Sequence, residues 1–329
     1  MLPSLVLPAT RGPLSATVAA ALSAPPTGRP LMLDVLADAQ PFGNDLQLAL
    51  HLCYEQHYQG TPGVDETWEW DPNLLRARAA LEQRFLTGLR GAVPGGHDVA
   101  AEFAALLVEP IDGSGVSHFL RDEGKWWHVR EVFAHRSVYH LKEGDPHAWV
   151  IPRLRGRAKA ALVAVEFDEF GGGRAESAHS RLFADLLRGA ELPDGYLALL
   201  EHVPAPMIAI VNMMSLFGLH RSLRGALVGH FAATEVTTGP SAHRMVQALT
   251  RLGAAEACKL FYTEHIEADA VHEQVMRHDV VGELLIQEPE LAADVVFGIQ
   301  ATNLLEERLS EHLLACWRAG RSSLRQPLS

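Results

Sequence analysis

A chain of 329 residues, 48% of them hydrophobic, is long enough to bury a full core without disulfides, as one large domain or two smaller ones. Its 28 basic and 40 acidic residues leave a net charge of -12, which gives a phosphate backbone or an anionic membrane nothing to hold. Three cysteines, Cys53, Cys258 and Cys316, are an odd number without CxxC spacing, which argues against a disulfide framework and a thiolate zinc site and fits a reducing cytoplasm.

Residues 1–40 read as a loose N-terminal tail, interrupted by Pro3, Pro8 and Pro13. The short apolar run Val18 to Leu22 has only Arg11 before it and Pro25-Pro26 after it, which suits one short helix better than a cleaved signal. Residues 41–112 form a leading helical subdomain. Asp45 to Tyr58 carries Leu46, Leu48, Leu50, Leu52 and Cys53 and stops at Gly60 and Pro62. After Trp68-Glu69-Trp70 on a loop, Asn73 to Leu89 spaces Leu74, Leu81, Phe85 and Leu89 helically, and Val99 to Leu107 makes a third short helix. Seams fall at Pro94-Gly95-Gly96 and Pro110 to Gly115.

The main domain, 113–329, is a succession of longer helices. They are placed near 124–143, 153–169, 176–189, 205–219, 221–237, 241–253, 256–279 and 288–319, with breaks at Pro146, Gly171-Gly172-Gly173, Pro193, Pro204, Gly239-Pro240 and Gly253. No apolar run approaches the roughly 20 residues that cross a bilayer, and no internal repeat stands out. The class is all-α, so any site must be built between helices.

The sharpest local pattern is His265-x3-Asp269-x2-His272, where positions i, i+4 and i+7 return to nearly one helix face. Two imidazoles and a carboxylate projecting together form a metal-ligand pattern, although a polar helix face with Glu264, Glu267 and Glu273 explains the same residues. Three glutamates stand in unusual surroundings: Glu143 behind the aromatics Trp126, Trp127, Phe133 and Tyr139, Glu169 before three glycines, and Glu235 within the mostly apolar Leu227 to Val236. Burying such carboxylates is costly unless something positive meets them. On one continuous helix Glu169 and His179 would be ~15 Å apart along the axis, so the glycines at 171–173 must turn the chain back if the two share a site.

Other polar residues have ordinary explanations. His51, Glu55 and His57 read as one polar helix face, and His220 and His230 as core or capping histidines. Arg136 and Tyr139, one to two turns before Glu143, could touch either substrate or the ligands.

Taken in order, His135-Arg136-Ser137-x-Tyr139-x-Leu141-Lys142-Glu143-x-Asp145-Pro146-His147-x-Trp149-x-Ile151-Pro152-Arg153, Asp168-Glu169-Phe170-Gly171-Gly172-Gly173 with His179, Leu216 to Arg221, Glu235 and His265 to His272 resemble the bacterial heme-oxygenase-like diiron oxidases and oxygenases. The resemblance implies a heme-oxygenase-like helical bundle with an N-terminal helical extension. It implies Glu143, His179, Glu235, His265, Asp269 and His272 as metal ligands, with Glu169 as the extra carboxylate of members resembling the N-oxygenases. A donor set of imidazoles and carboxylates without thiolate suits iron or manganese. A ferritin-like centre would need two Glu-x-x-His motifs, and only Glu176-x-x-His179 is evident.

The activity so implied is reductive O2 activation at two Fe ions cycling between Fe(II) and Fe(III), with an external electron donor and a small-molecule substrate. Glu169 favours N-oxygenation of an amine or amino-acid-like metabolite. A diiron oxidase causing C–C cleavage or desaturation, and a metal-free small-molecule-binding protein on the same scaffold, are the alternatives. The expected partners leave room for a homodimer through the N-terminal helices, without nucleic acid or membrane.

Overall fold

The computed structural model describes residues 7–108 and 113–328, except the side chains of residues 267–270. Among the described residues every regular element is a helix, as the 3.6-residue periodicity predicts. None of the described helices is long and apolar enough to cross a membrane. The chain divides into two compact units, Met1–Ala92 with Pro204–Leu216, and Val93–Val203 with Phe217–Ser329.

The first unit holds α1 (Pro13–Leu22), α2 (Asn44–Glu55), α3 (Pro72–Ala92) and the larger part of a later helix, Ala205–Leu219. The open end of α1 is closed by Asp45, whose carboxylate accepts from Leu14 N at 2.9 Å and Ser15 N at 2.8 Å. The apolar stripe Leu14, Val18 and Leu22 is thereby pinned inward. The expected polar face on α2 is not solvated: His51, Glu55 and His57 are buried. His51 meets Glu55 at 3.5 Å on the same helix, while His57 meets Glu69 at 3.5 Å and the guanidinium of Arg78, which also pairs with Glu82 at 3.1 Å. The period of α2 shows its polar stripe, but the partners of His57 lie on other elements and leave no trace in it.

The second unit is built from α4 (Val99–Leu106), α5 (Val116–Asp122), α6 (Trp126–His140), α7 (Asp145–Ala148), α8 (Gly156–Glu169) and α9 (His179–Gly189). After the helix Ala205–Leu219, here α10, come α11 (Arg224–Arg251), α12 (Glu256–Gln274), a π-helical segment Val275–Gly282, α13 (Glu283–Gln287) and α14 (Ala292–Arg318). Helix α11 is the central pillar, packed on α14, α12 and α5. It approaches α14 closely because Gly229 faces the backbone of Val295 and Gly298 faces that of Ala226, where a Cβ on either glycine would overlap a carbonyl. Beyond α14 the chain is latched to α6 by Glu131, which accepts from Trp317 Nε1 at 2.8 Å and Ser323 N at 2.9 Å.

The expected break at Gly239-Pro240 does not occur, since α11 runs through it. Packing of α11 on α12 and α14 holds the helix together where Pro240 has no N–H to donate. Conversely, the helix expected over 124–143 ends at His140, and Glu143 lies in the turn beyond it.

Candidate metal centre

Four stretches of the second unit converge on one buried polar site. Glu143 comes from the turn after α6, where Lys142 N donates to Tyr139 O at 2.8 Å and Gly144 takes φ 90°. Glu169 is the last residue of α8 and His179 the first of α9. Between them Gly171, Gly172 and Gly173 have φ of 76°, 62° and 80°, values that glycine adopts without penalty. The chain reverses there and brings His179 Nδ1 to 3.0 Å from Glu169 Oε2, which meets the demand that the sequence spacing made. Glu235 projects from the middle of α11, and His265 and His272 share one face of α12, two turns apart.

These side chains form two groups, Glu143 with His179 and His265, and Glu169 with Glu235 and His272. Within each group the ligand-capable atoms lie within 4.8 Å of one another. The 3.0 Å contact between Glu169 and His179 joins the groups. All six residues are at most 7% exposed. Asp269 lies on α12 one turn after His265, and its side chain is outside the described residues.

The histidine hydrogen bonds determine which nitrogens face the cavity. His265 Nδ1 lies 2.7 Å from the Phe261 carbonyl, which can only accept, so Nδ1 carries a proton and Nε2, 3.7 Å from Glu143 Oε1, is the nitrogen turned toward the site. His272 differs: Nδ1 is 3.1 Å from Glu235 and Nε2 is 3.1 Å from Asp168, so both nitrogens face carboxylates. Burial opposes its charge, but the hydrogen bond and charge of Glu235, helped by Asp168, push its pKa up to about 9. The same contest holds at His179, where Glu169 outweighs burial and raises the pKa. Burial would raise Glu143, yet His140 and His265 hold it well below the usual carboxylate range.

Protons on histidines thus stand where positive charge is needed among buried carboxylates. The residues present fit a resident metal: Glu143 Oε2 is buried with no hydrogen-bond partner, and the donors are imidazole nitrogens and carboxylate oxygens. Cys53, Cys258 and Cys316 are all buried and unpaired, and none belongs to either group.

A cleft of about 600 Å³ opens onto this site. His179 and His272 reach it from within, Leu182, Leu260 and Val271 give it apolar walls, and Asp168, Arg174, Glu176 and Glu264 supply its charged positions. Arg136 does not face substrate, because it is held by Glu306 through contacts of 2.8 and 2.6 Å. His230, buried and 2.8 Å from Thr302 Oγ1, is the core histidine the sequence suggests.

Three residues that sequence reasoning passed over contribute here. His140 meets Glu143 Oε1 at 2.7 Å, Asp168 holds His272, and Glu166 is a buried carboxyl one turn before Glu169. His140 and Glu166 left the same signal, an i, i+3 spacing to Glu143 and Glu169, which is common on any helix.

Residues 130–307, more than half of the chain, match the heme-oxygenase-like family model described as iron-containing redox enzyme. No curated protein matches the chain.

Proposed function

The chain belongs to the iron-containing redox enzyme family, and on that premise we propose that it is a dinuclear iron oxygenase that uses O2 to oxidise a small amine or amino-acid-like metabolite by N-oxygenation. The observation that carries this reading is the pair of buried three-residue groups joined through Glu169 and His179. One group would hold one iron and the other group the second, with Asp269 as a seventh donor. Iron held by these residues would supply the electrons for reducing O2, with an external electron donor needed to restore the ferrous state.

The chain's own residues prepare the site for this chemistry. Glu143, Glu169 and Glu235 offset the charge of the ions in surroundings where burial strengthens every such interaction. The Phe261 carbonyl fixes the orientation of His265 that turns Nε2 toward the site. Leu182, Leu260 and Val271 give apolar walls to the cleft, which reaches the two groups beside His179 and His272. Asp168, Glu176 and Glu264 outnumber Arg174 there, so the field of the cleft favours a cationic amine over a fatty acid. The preference for N-oxygenation over C–C cleavage or desaturation rests on Glu169 being part of the donor set.

The test begins with anaerobic loading of Fe(II), iron counting, and Mössbauer spectroscopy for a coupled pair. O2 consumption is then followed across a panel of amines, with mass spectrometry to find oxygen added at nitrogen. At most one tightly bound iron per chain would refute the dinuclear reading. A coupled pair whose products are alkenes or cleavage fragments would replace N-oxygenation with the oxidase alternative.

A further inference from the structure

Helix α8 places Glu166 three residues before Glu169, and so on the same side of the helix. The side chain is 2% exposed, and neither of its carboxyl oxygens has a hydrogen-bond partner. Its Oε2 lies 3.4 Å from the point a Cβ on Gly144 would occupy, and Phe170 packs against that same point. Because Gly144 directly follows Glu143, the carboxyl of Glu166 lies between the turn that supplies one group and the helix end that supplies the other. It does not line the solvent cleft.

An unbonded, buried carboxyl is among the most costly groups a core can contain. If the position served packing alone, methionine or leucine would fill it without that cost. Burial first, and then the charges of Glu169, Glu235 and Asp145, hold the Glu166 pKa well above the usual carboxylate range. Two of these three repelling neighbours belong to one of the ligand groups. A cation between them reverses the balance, because the centre then attracts the ionised form that it otherwise repels.

We propose that Glu166 is a further carboxylate of the metal centre, swinging onto an ion as the centre fills, an assignment that rests on the dinuclear reading above. Side chains three apart on a helix have Cβ atoms about 5–6 Å apart, so Glu166 can reach an ion that Glu169 also binds. A side chain at 144 would press on that carboxyl and on the Phe170 ring, and glycine removes the obstacle.

Calorimetric titration of the metal-free full chain with Mn(II), repeated anaerobically with Fe(II), tests this in Glu166→Gln and Glu166→Asp beside the wild type. Affinity for one of the two ions is expected to fall by about 10–100-fold in both variants. Infrared difference spectra supply a readout that a packing role would not move. In the wild type, metal should abolish a protonated-carboxyl C=O stretch that Glu166→Gln lacks from the start. Glu166→Asp keeps the acid with a shorter reach, so its band should persist after loading. Wild-type affinity for both ions in Glu166→Gln, or a wild-type band unchanged by metal, overturns this assignment alone. A wild-type chain that binds fewer than two ions overturns the dinuclear reading and this assignment with it.

Discussion

Replacing Gly171 with alanine tests whether the glycine turn builds the site. Gly171 has φ 76°, where a residue with a Cβ costs about 1–2 kcal/mol. The added Cβ would also lie 2.6 Å from the Ser177 carbonyl carbon and closer still to the Ala178 nitrogen. Both are backbone atoms, so no side-chain rotation relieves the overlap, and a further ~1–3 kcal/mol is expected from overpacking. Ala178 directly precedes His179, so relief must move that imidazole away from Glu169 and His265. Gly173→Ala is the matched control: its φ is 80°, but the nearest atom to the new Cβ is 3.7 Å away on the Phe167 ring. Thermal melts of the metal-free variants should show a loss of about 1–2 kcal/mol for Gly173→Ala and clearly more for Gly171→Ala. In anaerobic Fe(II) titrations Gly171→Ala should lose one tightly bound ion, whereas Gly173→Ala should keep both. Two irons bound with wild-type affinity by Gly171→Ala would refute the argument that this turn positions His179.

Other perturbations address the remaining links. Glu169→Ala removes one of three donors from one group and the 3.0 Å contact that ties it to the other, so metal counting should find one tight ion in place of two, and oxygen transfer to amines should fail; an unchanged count and product would make Glu169 an ordinary helix-end glutamate. His272 is held above its unfolded value, so its proton stabilises the metal-free fold below the unfolded pKa, and that gain is lost as pH rises through about 9. Metal must displace the same proton, so Mn(II) affinity should fall about tenfold for each pH unit below about 9, and a pH-independent affinity would contradict this. Hydrogen exchange across residues 256–280 should slow when Fe(II) is added, because His265 and His272 are buried among carboxylates that only a cation fully satisfies; equal protection with and without metal would count against the coupling.

The all-helical class was legible because periodicity is local, and α2, α3, α8 and α14 lie close to where their apolar spacing puts them. The pairing of Glu169 with His179 was legible for a different reason. Three consecutive glycines after a helix can only be a break, and the length of that break makes a reversal geometrically possible. Pro240 misled because proline is read as a helix terminator, whereas the packing of α11 on α12 and α14 outweighs the lost hydrogen bond and the clash of the ring. The residues near Arg78 misled in the opposite sense: a helix with polar residues at i and i+4 looks solvated, yet His51 and Glu55 pair out of solvent within α2 and Arg78 reaches His57 from α3.

The centre itself shows where sequence reasoning reaches its limit. Spacing on α12 brings His265 and His272 to one face, but they serve different groups, and that division follows from what meets each ring. His265 is directed by a carbonyl of its own helix, four residues back, so its tautomer is a local property. His272 is directed by Glu235 on α11 and Asp168 on α8, contacts made across 37 and 104 residues of chain. The two histidines of one motif therefore differ in kind: the first is set by its helix before any metal arrives, while the second exchanges a proton shared with two carboxylates for an ion. Metal affinity should accordingly depend on pH through His272 in one group and His179 in the other, and removing Asp168 should weaken the first group while leaving the Glu143, His179 and His265 group intact. Asp168→Ala titrated with Mn(II) would show one affinity lowered by about 10–100-fold and one unchanged, and an equal loss at both ions would mean that the two groups act as a single unit.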